Sequence, residues 1–346
     1  MSLLIRQGRV AYLGPRDGEP DVRNTELVDL GGATILPGLV DCHAHFTGAG
    51  GLNYLATLQE PDGILLARSV ENARVLVRTG VLAARDVGAV RALNIRVRDD
   101  LRGKPDAPVI QAGGTWVARR GRYQPFAVQV DDADGLRQAA LAQLDLGADL
   151  VKVGVDGGTG TASHWSASEL RPAVEAVHAR GKRIAGHAQG LGARAAAEAG
   201  FDTIDHGYSV DAATAATMRG RTALVTTLSV PVAFNNAREL EQALAAVRAA
   251  RAAGVRIATG TDFGGGPPRP GNFALEVELL LRAGLEPFEA IGAATWAGGE
   301  VMGQAHVGTL AQGAPADLIA VDGDPLSDVS VLRRIVAVFR DGTRAI

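Results

Sequence analysis

The sequence predicts an α/β protein: a (β/α)8 TIM barrel with a small β-sheet domain built from both termini. Three observations carry this. Eight short apolar runs of β type alternate with amphipathic or alanine-rich segments of helical period. Four of the seven histidines, one lysine and one aspartate close five of those runs, which is where a barrel gathers its chemistry. Short strand-like stretches remain at both ends of the chain, too few at either end to form a core alone.

The first segment reads as strands at Leu3–Ile5, Val10–Leu13 and Leu27–Leu30, separated by turn residues such as Gly14-Pro-Arg-Asp-Gly18. The last contains Asp317–Val321 and Ile335–Phe339 around the turn Asp322-Gly-Asp-Pro325. Joining the two ends in one small sheet covers apolar faces and edges that each would otherwise expose. The expected divisions are 1–35 and 305–346 for this small domain and 36–304 for the barrel.

The barrel strands are expected at Ile35–Asp41, Val81–Asp86, Val109–Gly113, Leu150–Val155, Arg183–His187, Thr203–His206, Ala223–Leu228 and Arg256–Thr261. Helical patterns follow most of them, at Ile64–Arg78, Leu136–Leu146, Ala167–Arg180, Ala193–Ala199, Glu239–Ala253 and Leu275–Ala283. A doubly wound open sheet is the alternative. It would carry a glycine-rich phosphate turn after its first strand, where this chain has His43-Ala-His45.

A chain of 346 residues suits a barrel of about 250 residues plus an accessory unit. With 47% hydrophobic residues, 21% charged residues and a net charge of −3, neither a disordered chain nor a nucleic-acid binder is indicated. The single cysteine, Cys42, excludes an intramolecular disulfide. The opening segment resembles no secretory signal, and no apolar run approaches the ~20 residues of a membrane span. The expectation is therefore a cytoplasmic protein acting on a small molecule without membrane or nucleic-acid partners; a homo-oligomer is left open.

Side chains at i and i+2 of a strand share a face, so His43 and His45 can reach one ion together while Cys42 points away. Such a pair taken alone equally fits core or surface histidines. Its companions decide: His187 ends the fifth strand and His206 the sixth, while Lys152 lies on the fourth and Asp262 follows the eighth. Unrelated histidines would be scattered among helices and loops, so this coincidence points to a metal site.

These residues give the chain its resemblance to the metal-dependent amidohydrolase superfamily. The matching stretches are Leu36-Pro-Gly-Leu-Val-Asp-Cys-His-Ala-His45, Val151-Lys-Val153, Gly186-His-Ala188, Ile204-Asp-His-Gly207 and Thr259-Gly-Thr-Asp262, with Leu310–Leu318 as a return strand into the small sheet. Within it the chain resembles the imidazolonepropionase and prolidase-like branch, which includes metal carboxypeptidases, dipeptidases and ochratoxin-hydrolysing enzymes. The resemblance implies two divalent metal ions, with zinc the expected ion. His43, His45 and Asp262 would bind one and His187 and His206 the other, bridged by Lys152 as a carbamate. A carbamate makes physical sense there, since its two anionic oxygens can span ions about 3.5–4 Å apart. An ordinary strand-end lysine beside a single metal is the other reading.

The implied reaction is hydrolysis of an amide bond, in an N-acyl amino acid or dipeptide-like compound, by a bridging water whose pKa two metals lower. Asp262, with Lys152 and His206 the expected catalytic residues, would take the water's proton and deliver it to the leaving nitrogen. A lactonase or phosphotriesterase uses the same water, and a non-catalytic metal-binding scaffold is the reading from another class. Related deaminases carry a glutamate three residues after the third histidine, where this chain has Gly190.

The loops after the strands should set selectivity. Thr115–Tyr123 offers three arginines and two aromatics, and Arg119, Arg122 or Tyr123 is expected to hold a substrate carboxylate; an exposed basic loop is the plainer reading. Asp156–Trp165, rich in glycine, is expected as a mobile cover. Its His164 and Trp165 either meet substrate or pack within the fold.

Overall fold

Gly38 divides the apolar run expected as one strand from Ile35 to Asp41. Before it, Thr34–Pro37 pairs antiparallel with Leu318–Val321 in the small domain; after it, Leu39–Ala44 pairs parallel with Val81–Asp86 in the barrel. A Cβ at Gly38 would lie 2.7 Å from the side chain of Leu82, so only glycine lets the chain pass this close to the barrel wall. The computed structural model describes residues 1–20, 22–23 and 25–345.

In chain order the strands are β1 (Ser2–Arg6), β2 (Arg9–Gly14), β3 (Thr34–Pro37), β4 (Leu39–Ala44), β5 (Val81–Asp86), β6 (Val109–Ala112), β7 (Trp116–Arg119), β8 (Ala127–Val130), β9 (Leu150–Gly154), β10 (Arg183–Ala188), β11 (Thr203–His206), β12 (Ala223–Thr226), β13 (Ile257–Thr259), β14 (Leu318–Val321), β15 (Ile335–Arg340) and β16 (Thr343–Arg344). Strands β4, β5 and β6 are joined in order, and β9 to β13 continue in order through a second parallel run. Two seams close the barrel. Asp149 donates its N–H to Ala112 O at 2.8 Å, and at the other seam His45 donates to Phe263 O (2.9 Å) and Asp262 to His43 O (2.7 Å).

The loop expected after the third strand is different. The chain bends at Gly113-Gly114, with Gly114 at φ +67°, and resumes as β7, which pairs with β9 (Val117↔Val153) and carries β8 on its other side. Trp116 and Arg119 therefore stand on a strand, with fixed directions.

Helices cover the outside, close to their expected ranges: Asp62–Arg78, Ala133–Asp145, Ala167–Ala179, Gly192–Ala199, Ala237–Ala252 and Phe273–Arg282. Several starts are legible: Asp132, Ser166 and Asn236 each accept a backbone N–H of the first turn, and Ser166 forms a capping box with Glu169. Outward residues of the strands, such as Val151, Val153, Ile184, Ile204 and Leu224, are buried against these helices. Each such side chain contributes roughly 1.5–3 kcal/mol of transfer free energy.

The small domain comprises two sheets, β1-β2 and β16-β15-β14-β3, rather than one. They enclose Val10, Ala316, Leu318, Ala320, Ala337 and Phe339. Leu27–Leu30, expected as a strand, has no regular structure; Leu27 is 81% exposed, and of the segment Leu30 packs against the small-domain core. No helix among the described residues is long and apolar enough to cross a membrane.

Candidate metal centre

Six side chains drawn from five strand ends converge at the mouth of the barrel. His43 and His45 use the strand alternation of β4, and their rings are 5.4 Å apart. His45 Nδ1 donates to Gly88 O at 2.7 Å, which leaves Nε2 facing inward, 3.3 Å from Asp262 Oδ1. His43 Nε2 is also 3.3 Å from that oxygen. His206 stands 4.7 Å from the His43 ring and 4.3 Å from the His187 ring.

Alternation alone would send Asp205 and His206 to opposite faces of β11. Instead His206 adopts φ +72°, a left-handed turn that swings its ring back over the barrel. Asp262 does the same at φ +53°. Thr227 Oγ1, 2.7 Å from His206 Nδ1, leaves Nε2 of that ring inward.

The result is a group of buried imidazole nitrogens with no aligned hydrogen-bond partner: both of His43, Nε2 of His45, Nδ1 of His187 and Nε2 of His206. Leaving one buried polar atom unpaired costs about 1–3 kcal/mol, so several around one space need an explanation. Nitrogens plus one carboxylate are the donors that divalent cations of the zinc kind take. Among the described residues, the ligand atoms of His43, His206 and Asp262 already lie within 4.8 Å of one another. The donor set fits a metal.

Charge states agree with this. Burial holds His187 and His206 well below the usual imidazole range, so their lone pairs are free. Burial opposes the charge on Asp262, but His43 and His45 outweigh it and keep the carboxyl well below its ordinary value. The Lys152 amine is pushed down by burial, against the pull of Asp205.

Lys152 lies beneath the histidines, fully buried, with its Nζ against Asp205 Oδ2 and 5.5 Å from the ring of Trp116. Behind them is Arg85, also buried, which donates to Cys42 O at 2.7 Å and reaches Asp205 Oδ1 at 3.3 Å. Sequence reasoning gave Arg85 and Asp205 no task. The available signal was a charged residue inside an otherwise apolar strand, which in a barrel is interior. Asp41 is similar: it accepts from the N–H groups of His43 and Thr261 and from the Thr261 hydroxyl, which ties the first strand end to the loop after the eighth. Cys42 does alternate away, with its thiol buried and pushed up to about 12.

Above the donors is a cavity of about 300 Å³. His45, His187 and Asp262 form its floor; Trp116, Tyr123, Phe126, Leu55, Leu58 and Phe234 form much of its wall. No arginine or lysine among the described residues lines it. Tyr123 does line it, with its ring 5.2 Å from His187 and its hydroxyl donating to Asp156 O.

The other residues expected on substrate are placed elsewhere. Arg119 donates to His164 O (2.6 Å) and Glu169 (2.9 Å) and lies 4.5 Å over the ring of Trp165. Trp165 is buried, its indole N–H donating to Gly154 O. This pair packs behind the cavity wall, which is the packing alternative for Trp165, and the direction of Arg119 follows from its standing on a strand. His164 is half-buried behind Tyr123, off the cavity wall. Arg122 is exposed at the tip of the turn.

The 156–165 loop is tied down rather than free. The Asp156 carboxylate accepts from the N–H groups of Gln189, Gly190 and Gly192, and Leu191 donates to Thr161 O. A Cβ at Gly190 would sit 2.5 Å from Gly158 O and 2.6 Å from Thr161 O, so no glutamate fits at that position.

Gly265 gives a sharper test. A Cβ there would stand 2.2 Å from a carbon of the His45 ring and 2.4 Å from Asp262 Oδ1. Gly265→Ala is expected to push both donors apart and weaken metal binding at least tenfold, while the melting temperature of metal-free protein changes little. Titration calorimetry with Zn²⁺ checks it; unchanged affinity would refute the placement of the floor.

Comparison with known proteins agrees with this fold. Residues 34–345 match the amidohydrolase family. The chain is 30% identical to ochratoxinase of Aspergillus niger, covering 97% of this chain and 80% of that one. It is 28% identical to imidazolonepropionase of Anaeromyxobacter sp. (strain K), over 92% and 83%. A Xaa-Pro dipeptidase crystallised with methionine in its active site superposes with a TM-score of 0.86 at 25% identity, covering 99% of this chain and 94% of that chain.

Proposed function

The chain belongs to the amidohydrolase family, a premise from which we propose a binuclear metal-dependent hydrolase that cleaves an amide bond of an N-acyl amino acid or dipeptide-like compound. One observation carries the reading: buried imidazole nitrogens without an aligned partner, those of His187 and His206 on neutral rings, gathered beside a carboxylate at the floor of a cavity. His43, His45 and Asp262 would hold one ion and His187 and His206 the other, with Lys152, as a carbamate, shared between them. Divalent ions bound there supply Lewis acidity and lower the pKa of water.

The chain's own groups do the rest. Asp262, ionised and open to the cavity floor, accepts the proton of the attacking water and passes it to the leaving amide nitrogen. Trp116, Tyr123 and Phe126 on one side, with Leu55, Leu58 and Phe234 on the other, exclude solvent and receive a bulky apolar part of the substrate. Any substrate carboxylate must reach beyond this wall, where the turn carries the exposed Arg122. Ochratoxinase and the Xaa-Pro dipeptidase are consistent with such an amide substrate.

Zinc-loaded protein should turn over N-acyl amino acids or dipeptides bearing an aromatic or long aliphatic group, and lose this on chelation. Faster turnover of lactones or aryl phosphotriesters in the same panel would replace the proposal with that of an esterase or phosphotriesterase. A purified chain that takes up no metal would indicate a scaffold.

A further inference from the structure

Asp205 is fully buried, and no catalytic step has used it. Its Oδ1 accepts from Thr203 Oγ1 at 3.0 Å and faces Arg85 Nη2 at 3.3 Å; its Oδ2 touches Lys152 Nζ and lies 3.1 Å from His43 Nδ1. Arg85 is anchored in turn on Cys42 O. The carboxylate therefore cannot swing away from the lysine without stranding a buried guanidinium.

We propose that Asp205, braced by Arg85, is the positioning residue that fixes the Lys152 amine for carbamate formation and then holds the carbamate in place. This rests on the reading of Lys152 as a carbamate. In the reaction, the lone pair of the neutral amine forms the N–C bond to carbon dioxide, one C=O π pair moves onto oxygen, and one of the two amine protons leaves to solvent. The other stays on nitrogen. That buried N–H needs an acceptor, and Asp205 Oδ2 is the acceptor already in contact with it. Its bond to Asp205 sets the torsion about the nitrogen, so that the new carboxylate group projects away from Asp205. Because Oδ2 also faces the Nδ1 side of His43, a change at Asp205 is felt at two donors.

The test strips metal and carbon dioxide from the protein, then restores Zn²⁺ with increasing ¹³C-bicarbonate, following zinc uptake and the ¹³C carbamate resonance. Asp205→Asn is expected to raise the bicarbonate concentration for half-maximal uptake at least tenfold. Since this variant leaves Arg85 without its carboxylate, the double variant Arg85→Met with Asp205→Leu, which removes both charges at similar volume, provides a second folded reading and is expected to behave alike. A purely structural Asp205 would lower the melting temperature and leave the bicarbonate requirement at the parent value, which overturns the proposal. If the parent protein itself shows no carbamate resonance and binds one equivalent of zinc, the fault lies in the reading of Lys152 and the proposal falls with it.

Discussion

Lys152→Ala is expected to leave a folded protein that binds one equivalent of metal instead of two and whose kcat/KM falls about a thousandfold, a loss of about 4 kcal/mol in transition-state stabilisation. The expectation comes from charge. Four imidazole ligands, uncharged when they bind metal, and Asp262 bring one formal negative charge to a space meant for two dications, and mutual repulsion would expel the second unless another anion lies between them. Beneath the donors, the residue able to become that anion is Lys152, with its amine pushed toward the neutral, nucleophilic form by burial. Alanine removes the bridge without adding volume, and Asp205 keeps Arg85 as its partner. Metal analysis and native mass measurement on the same sample check the result. Two equivalents retained at parent activity would show that the lysine is a bystander.

Asp262→Asn is expected to cost 10² to 10⁴ in kcat with the fold intact, the range of a lost general acid–base group. Asparagine keeps the volume and one carbonyl oxygen toward His43 and His45, but it accepts no proton. The loss should therefore appear in kcat and persist at saturating zinc, which separates a proton-transfer role from simple ligation. Stability offers a second readout. Asp262 in the metal-free protein is held well below its ordinary value of 3.8, so its stabilising contribution is present above that pH and disappears as pH falls through the lower folded-state value. The melting temperatures of parent and variant should differ near neutrality and converge in acid. A constant difference across that window would argue against the depressed carboxyl.

Much of the site was legible from the chain because its donors end strands, and strand ends follow from local pattern: an apolar run, a polar residue, then a turn. The same locality explains the errors. Periodicity could not place the break at Gly38, since that depends on Leu82 pressing from the neighbouring strand. Nor could it show that Thr115–Tyr123 begins as a strand, because β7 joins the sheet through β9, more than thirty residues later, with β8 on its other edge. Once Arg119 stood on that strand its directions were set, and Glu169 and the ring of Trp165 were what it met.

His43 and His45 sharing a face, the neutrality of the composition and the barrel alternation are properties of short windows, and the amino-acid sequence was enough for them. The left-handed turns at His206 and Asp262, the apolar cavity and the buried Arg85–Asp205–Lys152 series are not. They arise when residues as much as 220 positions apart are brought to one barrel interior, where excluded water makes each charge depend on the partner that folding supplies.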